Sequence, residues 1–447
     1  MRLSLPILAV ALLLARAAPA QELPIEAPPP APAPDADAPA DDPEAEESAA
    51  SDVPLEEIKR YVAVYKAIKD AYVEPVDDKA LMGAAIRGLL LDLDPHSAYL
   101  DKDDAEAFDE DTSGAYDGIG VEVQQLPDGR VKVIAPIDDT PAARAGVKAG
   151  DTIIAVDGKP LTPASAAGQG PLRGKSGSTV ELTIAREGEP KPLKISVTRE
   201  TIRIASVHGR MLEPGYAYIR ISAFQADTAA DFEKTLKQLQ AGAGDRLRGL
   251  VLDLRSNPGG LLTTSVQIAD DLLDKGDIVS TRGRSPLSDS RFSATPGDLM
   301  HGAPVVVLVD AGSASASEVL AGALHDNQRA RVVGSRTFGK GSVQTVMELD
   351  NGDSVKLTTA RYYTPSGKSI QARGIEPDVV LQPEGEEKGQ AASAGYAEAL
   401  LPGHLHGDEE VAGSNAGDVL DGDAPIAAAL AELKKQATGG GTTAARD

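Results

Sequence analysis

The sequence predicts a mixed α/β fold that contains an inserted β-rich module and an N-terminal helical segment. From about residue 202 onward, apolar strands alternate with amphipathic helices, which is typical of a parallel or mixed sheet with both faces covered. Between residues 113 and 200 the pattern changes to short strands and turns. Residues 54–112 instead include apolar side chains at helical spacing. The length of 447 residues allows two or three such domains.

The first 53 residues predict export. Residues 1–20 have the pattern of a secretory signal peptide: a basic residue, an apolar run from Leu3 to Leu14, and small residues before Gln21. The run is too short for an ordinary membrane-spanning helix, and an uncleaved N-terminal anchor is the alternative. Residues 21–53 are rich in alanine, proline and acidic residues, which predicts a disordered linker. We therefore expect an exported protein, free or held at the membrane by that anchor.

The composition excludes several classes of site and partner. The chain contains no cysteine, so disulfide bonds and thiolate metal sites are excluded. A net charge of −24 argues against nucleic acid and against an anionic membrane surface as binding partners. Much of the acidic charge lies in the flanking segments, so it bears on solubility more than on chemistry.

The N-terminal helical segment, predicted over residues 54–112, contains two helices. The first is indicated by apolar side chains at helical spacing, namely Ile58, Tyr61, Val62, Tyr65 and Ile68. The second covers Ala80–Leu91, and an acidic stretch from Asp101 to Asp111 follows it. Two helices alone are too thin to enclose a core, so we expect them to pack on another element or to join the subunits of a homo-oligomer.

The β-rich module, predicted over residues 113–200, begins with a hairpin. Val121–Val123 and Val131–Ile134 are strand-like, and Pro127–Gly129 supplies the turn between them. Thr179–Ala185 alternates between apolar and polar residues, as a half-buried strand does. These short strands, separated by glycine and proline, predict a compact β-rich domain.

The α/β core is predicted over residues 201–383. Its expected strands are Tyr216–Ile221, Gly249–Leu254 and Pro304–Asp310. Its expected helices are Ala229–Leu239, Leu261–Leu273 and Ser317–Asn327. The remaining residues, 384–447, read as a polar tail with a terminal helix at Ile426–Lys435.

The strand-to-helix junction at Gly312–Glu318 contains three serines, at positions 313, 315 and 317. Residues at the carboxyl ends of strands are where α/β sheets meet their ligands. The start of a helix also offers a positive dipole and free N–H groups that stabilise an oxyanion. The alternative is that these serines cap the helix with support from Glu318. The local sequence gives Ser315 only a slight preference.

A single lysine, Lys340, lies between two glycines in Phe338–Gln344, with little nearby to pair its charge. Apolar neighbours lower the pKa of an amine, and a neutral lysine can act as the general base of a serine hydrolase. Gln344 orients this amine only if the chain turns, since in a straight strand the two residues are about 13 Å apart. The alternative is a surface lysine in a glycine turn.

Histidine is not favoured as the base. His325 lies on the predicted helix about 15 Å along its axis from Ser315, which is far beyond hydrogen-bond reach. The remaining histidines lack the context of a catalytic triad and are expected to be solvated or bonded locally: His96, His208, His301, His404 and His406. A base other than histidine is therefore expected.

A third element is Asn257–Gly260, which follows a buried strand. Adjacent glycines leave backbone N–H groups exposed at a strand end, where they can donate hydrogen bonds to an oxyanion. The alternative is a plain strand-to-helix turn, so this motif alone is weak.

Together these motifs resemble the carboxyl-terminal processing proteases, exported serine proteases of the tail-specific type. The resemblance extends over nearly 300 residues and rests on motifs in the family's order: Leu93–Leu100, Glu110–Gly114, Gly118–Val121, Asp253–Gly260, Thr337–Gln344, Tyr362–Gly367 and Gly374–Asp378. It implies a crotonase- or ClpP-like α/β protease core with an inserted PDZ domain.

The resemblance also implies a role for each candidate residue of the core. Ser315 would be the nucleophile, Lys340 the general base, and Gln344 the partner that orients the lysine. The oxyanion hole would consist of the backbone N–H of Ala316 and that of either Gly259 or Gly260.

In the PDZ domain the resemblance implies a loop that binds the carboxylate of a substrate C-terminus while the peptide adds as a strand. The donors in that loop would be the backbone groups of Gly118, Ile119, Gly120 and Val121. Ala164–Pro171 departs from the family because it is poor in helix formers, whereas Arg173 and Gly174 match it. The specificity of the groove for peptides is therefore left open.

The implied function is that of an exported serine endopeptidase that recognises substrate C-termini and processes or degrades periplasmic proteins. Neither a metal nor an organic cofactor is expected, and the expected partners are polypeptide substrates and an activating adaptor protein. One alternative is a non-catalytic PDZ scaffold with an idle protease-like core. Another is a different hydrolase on the same core.

Overall fold

The computed structural model describes residues 54–163, 170–244, 246–383, 397–410 and 417–439. The expected signal peptide and linker lie outside the described residues, and so does most of Ala164–Pro171, the segment of the PDZ domain that is poor in helix formers. The α-helices are α1 (Leu55–Ala71), α2 (Asp78–Leu91), α3 (Lys102–Ser113), α4 (Pro141–Arg144), α5 (Thr228–Gly242), α6 (Leu262–Leu272), α7 (Ala316–Asp326) and α8 (Ala424–Gly439). Short 3₁₀ turns lie at Pro286–Ser288 and Glu398–Leu400. No helix in these ranges is long and apolar enough to cross a membrane.

The strands fall into four sheets. In chain order they are β1 (Ala98–Leu100), β2 (Ala115–Gly118), β3 (Val121–Gln125), β4 (Val131–Pro136), β5 (Thr152–Val156), β6 (Lys159–Pro160), β7 (Thr179–Ala185), β8 (Leu193–Thr198), β9 (Glu200–Arg203), β10 (Val207–Glu213), β11 (Tyr216–Ile221), β12 (Gly249–Asp253), β13 (Asp277–Gly283), β14 (Ser290–Ser293), β15 (Val305–Val309), β16 (Ala330–Gly334), β17 (Ser342–Glu348), β18 (Ser354–Tyr363) and β19 (Val379–Val380).

The chain divides into two compact units, residues 1–77 and 78–447. Helix α1, in the first unit, has the predicted apolar spacing and two acidic residues in its first turn, where they favour the helix dipole. None of its residues is buried, and Leu55 is 63 % exposed. The prediction of a helix is confirmed, and Ile58, Tyr61 and Val62 of its apolar face are each about two-fifths exposed.

The β-rich module is an antiparallel sheet in the order β3-β4-β5-β7-β8, with β6 beside β5. The predicted hairpin is present as β3 and β4, and β7 has the predicted bounds. Its core is made by apolar residues that point to one side: Ile119, Val133, Ile153, Val180, Leu182 and Ile184. Strands β2 and β9, at the two ends of the module, pair with each other as a two-stranded neck.

The core of the second unit is a six-stranded sheet in the order β10-β11-β12-β15-β16-β19. All neighbours from β11 to β19 are parallel, and β10 is antiparallel to β11. Leu250 and Leu252 of β12 face the layer formed by α5, α6 and α7. Val251 faces Leu433 of α8 on the other side. Both faces are therefore covered, as continuous apolar strands require.

A five-stranded sheet, which the sequence did not predict, packs beside this core. Its order is β1-β18-β13-β14, and β17 pairs with β18. Strand β1 pairs antiparallel with β18, with Tyr99 opposite Val355. The chain just before the β-rich module is thereby joined to the region that follows Lys340.

Candidate active site

The strand-to-helix turn after β15 is organised by the buried carboxylate of Asp310. Its Oδ1 accepts the backbone N–H groups of Ser256 at 2.8 Å and Gly312 at 2.9 Å. Its Oδ2 accepts the backbone N–H of Leu420 at 3.1 Å. The Leu420 carbonyl in turn accepts Arg255 at 2.8 Å. The turn is thus held from two sides: by Ser256, just before the glycine turn Asn257–Gly260, and by Leu420, in the C-terminal residues before α8.

The three serines of this turn have different surroundings. The Ser313 hydroxyl donates to the Leu254 carbonyl at 2.8 Å and accepts the Asp310 N–H at 3.0 Å. The Ser317 hydroxyl donates to the Asn257 carbonyl at 2.9 Å. Both serines are fully buried, whereas Ser315 is 7 % exposed. The hydroxyls of Ser313 and Ser317 are committed to the main chain. Ser315 is the residue that flanks the start of α7, where Glu318 forms the predicted capping box with it.

Ser315 has a backbone conformation that few residues other than glycine adopt, with φ 54° and ψ −114°. Such conformations persist only where the surroundings hold them, and a strained strand-to-helix turn is how α/β hydrolases present a nucleophilic serine. Its hydroxyl also contacts the phenol of Tyr362. Burial raises the pKa of Tyr362 to about 12, and the hydrogen bond with Ser315 opposes that shift. Tyr362 therefore stays protonated beside the serine.

Glu318 joins two segments: the turn at residues 312–318 that contains Ser315, here called the serine turn, and the loop at residues 337–341 that contains Lys340, here called the lysine loop. Its Oε2 accepts the backbone N–H of Ser315 at 2.8 Å and that of Lys340 at 2.9 Å. Its Oε1 accepts the Gly339 N–H at 2.7 Å and the Thr337 hydroxyl at 2.5 Å. Burial raises the pKa of Glu318 to about 8, and these donated hydrogen bonds oppose the shift. One carboxylate thus fixes the main chain of both candidate catalytic residues.

Lys340 lies in a loop whose backbone is bonded on two sides. Besides the bonds to Glu318, the Gly341 N–H donates to Gln371 Oε1 at 3.0 Å. A Cβ on Gly341 would come within 2.2 Å of the Gln371 nitrogen, so glycine is needed for this close approach. The pKa of Lys340 is lowered, chiefly by burial and then by the nearby Lys356 ammonium, while Glu398, Glu318 and Asp94 oppose the shift. In the described part of the chain Lys340 forms no salt bridge. Lys340 is partly buried rather than exposed, which favours the predicted base over the surface-lysine alternative.

Ser315 and Lys340 are both among the described residues, and the Ser315 hydroxyl is not hydrogen-bonded to the Lys340 amine. Catalytic hydrogen bonds are often long or misaligned in substrate-free enzymes and tighten when substrate binds. Gln344 lies in β17, where a bulge follows Val343. Its Nε2 donates to Ser342 at 3.0 Å and to Thr358 at 3.2 Å rather than to Lys340. The orienting role of Gln344 stays a prediction.

A second buried carboxylate, Glu398, lies on the other side of the lysine loop. Its backbone N–H donates to the Phe338 carbonyl at 2.9 Å, and its Oε1 accepts Gln371 Nε2 at 3.0 Å. His96 Nε2 lies 2.8 Å from its Oε2. His96, expected to be solvated or bonded locally, is instead paired with a residue 302 positions further along the chain. Sequence reasoning missed Glu398 because nothing near it in the sequence marks it.

His325 is not placed to serve as the base. Its Nδ1 is 3.0 Å from Asp326 Oδ1, and its Nε2 is 3.5 Å from Asp378 Oδ1. The ring nitrogens are therefore directed at two aspartates, Asp326 at the C-terminal end of α7 and Asp378 just before β19. The hydrogen bond with Asp326 raises the pKa of His325.

The glycine turn packs directly against the candidate nucleophile. A Cβ on Gly259 would lie 2.8 Å from Ser315 Cβ, and one on Gly260 would lie 2.2 Å from the Phe224 carbonyl oxygen. The Gly259 N–H donates to Asn257 Oδ1 at 2.9 Å. The N–H groups of Gly260 and Ala316 have no acceptor among the described residues. One donor without an acceptor thus follows Ser315 in the chain, and another lies in the turn whose Gly259 packs against Ser315.

The predicted carboxylate loop lines a groove of about 300 Å³ in the β-rich module. Gly118, Ile119, Gly120 and Val121 all line it, together with Arg173. The Ile119 carbonyl accepts Ala142 N–H at 2.9 Å and the Gly120 carbonyl accepts the Thr140 hydroxyl at 2.9 Å, so both carbonyls face inward. Strand β3 is at the edge of its sheet and is largely exposed. An open edge strand beside backbone donors is the arrangement that binds an added peptide strand.

Known families match most of the chain. Residues 215–381 match the model of peptidase family S41, and residues 118–197 match the PDZ domain. Residues 33–104 match the N-terminal domain of the activating protease CtpB.

Relatives are similar over most of their own lengths. The carboxy-terminal-processing protease of Bartonella bacilliformis is 44% identical over 358 residues, which cover 79% of this chain and 82% of that protein. The carboxy-terminal processing protease CtpA of Bacillus subtilis is 35% identical over 318 residues, covering 70% and 67%. Among solved structures, the photosystem II D1 C-terminal processing protease is 33% identical, with a TM-score of 0.42 and coverage of 74% and 94%.

Proposed function

Since this chain belongs to the carboxy-terminal-processing proteases of peptidase family S41, we propose that it cleaves polypeptides with Ser315 as nucleophile and Lys340 as general base. The family assignment makes the chain a serine peptidase with a PDZ domain, and polypeptides its substrates. The observation that carries the residue assignment is the shared carboxylate: Glu318 Oε2 binds the backbone N–H of both residues. A scaffold with an idle core would not require a buried acid to hold a serine and a lysine together.

The chemistry follows from the lowered pKa of Lys340. The neutral amine takes the proton of the Ser315 hydroxyl as its oxygen attacks the scissile carbonyl carbon. The tetrahedral intermediate collapses, the C–N bond breaks, and the lysine gives its proton to the leaving amine. Lys340 then takes a proton from a water molecule, whose oxygen attacks the acyl carbon. The ester C–O bond breaks, Lys340 returns that proton to the Ser315 oxygen, and the new C-terminal carboxyl group leaves. Every step uses side chains already at the site.

The oxyanion of each intermediate is assigned to the backbone N–H groups of Gly260 and Ala316. Both are free of acceptors among the described residues, whereas the Gly259 N–H is bound by Asn257. Ala316 is also the first residue of α7, where the helix dipole favours negative charge. Gly259 then serves mainly to let the turn approach Ser315.

The decisive experiment compares wild type, Ser315→Ala and Lys340→Ala in the degradation of an unstructured protein. Loss of activity in both variants is expected. Equal activity in all three would rule out the assignment in favour of a different site. Full activity in Lys340→Ala alone would transfer the role of base to another group. Retained binding of C-terminal peptides by both inactive variants would show that the PDZ groove acts independently of the chemistry.

The PDZ domain is proposed to bind substrate C-termini and to regulate the site. A short run of backbone hydrogen bonds supports coupling: the Thr112 carbonyl, just before the neck, accepts Ala226 N–H at 3.1 Å. Two residues earlier, Phe224 N–H donates to the Gly259 carbonyl at 2.8 Å. Replacing residues 119–199 with a tight turn keeps the neck and should change the basal rate or its dependence on peptide. An unchanged rate and peptide dependence would refute this regulation.

Self-association and export complete the proposal. The exposed apolar residues of α1 support an oligomer formed through the N-terminal helices. Removing residues 54–92 should therefore lower the number of chains per assembly, measured by sedimentation. An unchanged number of chains per assembly would contradict it.

Periplasmic export is supported by the pattern of residues 1–20, and N-terminal sequencing of protein from the periplasmic fraction should begin at Gln21. An activating adaptor is proposed to act on the N-terminal segment or the PDZ domain.

A further inference from the structure

Two histidines and one glutamate converge in the C-terminal segment 397–410, apart from Ser315. One potential ligand atom from each of His404, His406 and Glu410 lies within 4.8 Å of the others. His404 Nε2 is 3.1 Å from Glu410 Oε1, and His406 Nδ1 is 3.0 Å from Glu410 Oε2. The two imidazole rings meet edge to face, with their centres 5.1 Å apart. The peptidase mechanism uses none of these side chains.

The orientation of His404 shows which of its nitrogens faces Glu410. Its Nδ1 lies 3.0 Å from the Leu401 carbonyl oxygen, which can only accept, so Nδ1 bears the hydrogen of that bond. Nε2 lies 3.1 Å from Glu410 Oε1, so on losing its proton it would offer a lone pair to a cation held between the two groups. Glu410 is itself positioned, because its Oε2 accepts the Gly407 N–H at 3.2 Å. A histidine whose second nitrogen donates to a backbone carbonyl is the usual arrangement of a metal ligand.

We propose that His404, His406 and Glu410 bind a zinc ion. Zinc bonds to imidazole nitrogen and carboxylate oxygen at about 2.0–2.2 Å in tetrahedral geometry, which places ligand atoms about 3.3 Å apart. The two histidine–glutamate separations already come close to that spacing. His406 is 84 % exposed at its side chain, so it can turn to close the third separation. Imidazole ligands favour zinc over magnesium or calcium, and the fourth position is left to water.

The proposed ion clamps a segment that touches the lysine loop. The Leu405 carbonyl, between the two histidines, accepts Gln371 Nε2 at 2.9 Å. The same Gln371 accepts the Gly341 N–H through its Oε1 at 3.0 Å. Binding zinc between residues 404 and 410 therefore tightens the backing of the loop that contains Lys340. Its role is structural, and the peptide-bond chemistry does not pass through the metal.

The test uses the full chain without a polyhistidine tag, stripped of metal by a chelator and titrated with zinc chloride in a calorimeter. Cobalt chloride replaces zinc in a parallel absorption measurement, where strong visible bands report tetrahedral coordination. His406→Gln removes an exposed ligand without disturbing the fold, and Glu410→Gln removes the shared one. Glu409→Gln is the matched control, since that neighbouring carboxylate pairs with Arg373 instead.

We expect one zinc ion per wild-type chain and a rise in melting temperature of about 5 °C at a hundredfold excess over Kd. Affinity should fall at least tenfold in His406→Gln and Glu410→Gln, as happens when a ligand is lost, and stay unchanged in Glu409→Gln. Absence of binding to the wild type overturns the proposal, and so does equal affinity in all the variants. No readout depends on peptidase activity, so either result leaves the Ser315–Lys340 assignment standing.

Discussion

Gly259→Ala tests how closely the glycine turn must pack against Ser315, the proposed nucleophile. Gly259 has a φ of +104°, and a Cβ built on it lies 2.8 Å from Ser315 Cβ and 2.9 Å from the Ala314 carbonyl oxygen. Carbon atoms pack favourably at about 3.5–4.0 Å, so Ser315 or the turn must move by about 0.7–1.2 Å. The added methyl group therefore displaces the catalytic geometry rather than filling a space.

Two costs determine the size of the effect. A residue other than glycine at this φ costs about 1–3 kcal/mol in backbone strain. Overpacking costs about a further 1–3 kcal/mol, so the free energy of unfolding should fall by about 2–6 kcal/mol. A misplacement of about 1 Å at a catalytic group lowers the rate by about a hundredfold. We expect kcat to fall by that order.

The control is Gly352→Ala, because Gly352 also has a positive φ, +83°, but no atom lies within 4 Å of its built Cβ. It carries the backbone cost without the contact. Urea unfolding gives the stability of both variants, and cleavage of an unstructured peptide gives kcat. Both should be destabilised, and only Gly259→Ala should lose catalysis. If the two variants kept the same kcat, the packing of the turn against Ser315 would not matter for the reaction.

Three further predictions follow from the same site. Glu318→Gln leaves one acceptor oxygen for four donors, so kcat should drop by on the order of a hundredfold in a peptidase assay; activity within threefold of wild type would contradict the positioning role. Activity should rise with pH through a midpoint below the ordinary pKa of 10.5, because Lys340 must be neutral to serve as the proposed base. Lys356→Met removes a repelling charge and should move that midpoint to higher pH, and a fixed or lower midpoint would rule out this coupling. Ser313→Ala should cost about 1–3 kcal/mol in urea unfolding yet stay active, unlike Ser315→Ala, and an inactive, well-folded Ser313→Ala would reopen the choice of nucleophile.

The core of the sheet could be predicted because its strands are buried on both faces. Tyr216–Ile221 has the predicted bounds, and Val305–Val309 lies within the predicted Pro304–Asp310. Such runs are almost wholly apolar and need no knowledge of their partners to be recognised. Helix α7 begins at Ala316, one residue before the prediction, because Ser315 is its N-terminal flanking residue.

The five-stranded sheet could not be predicted in the same way. The strand β17 is exposed over most of its length, so it lacks the apolar run that marks a buried strand. Its neighbour β18 pairs with Ala98–Leu100, more than 250 positions earlier, which no local pattern reveals.

The helix α3 was also missed, although the sequence contains the signals for both of its ends. Asp101 caps it through the Asp104 N–H at 3.1 Å and Gly114 ends it with φ 71°, and both signals were present in the acidic stretch.

The candidate site divides along the same line. Ser315 and Lys340 belong to short motifs whose residue types suggest their chemistry. Glu318 was noted only as support for a cap, because its bonds to the lysine loop depend on tertiary structure. Glu398 and Tyr362 reach the site from distant positions, and spacing along the chain cannot reveal them.

The C-terminal residues that bond to the serine turn impose an order on the making of the enzyme. Asp310 needs the Leu420 N–H, and the Ala311 N–H needs the Asp418 carbonyl at 3.2 Å. A ribosome adds these residues about a hundred positions after Ser315. The helix α8, which covers the second face of the sheet, comes later still. The growing chain therefore has Ser315 long before it has a finished turn, so we expect the site to form only after residue 420 has been added.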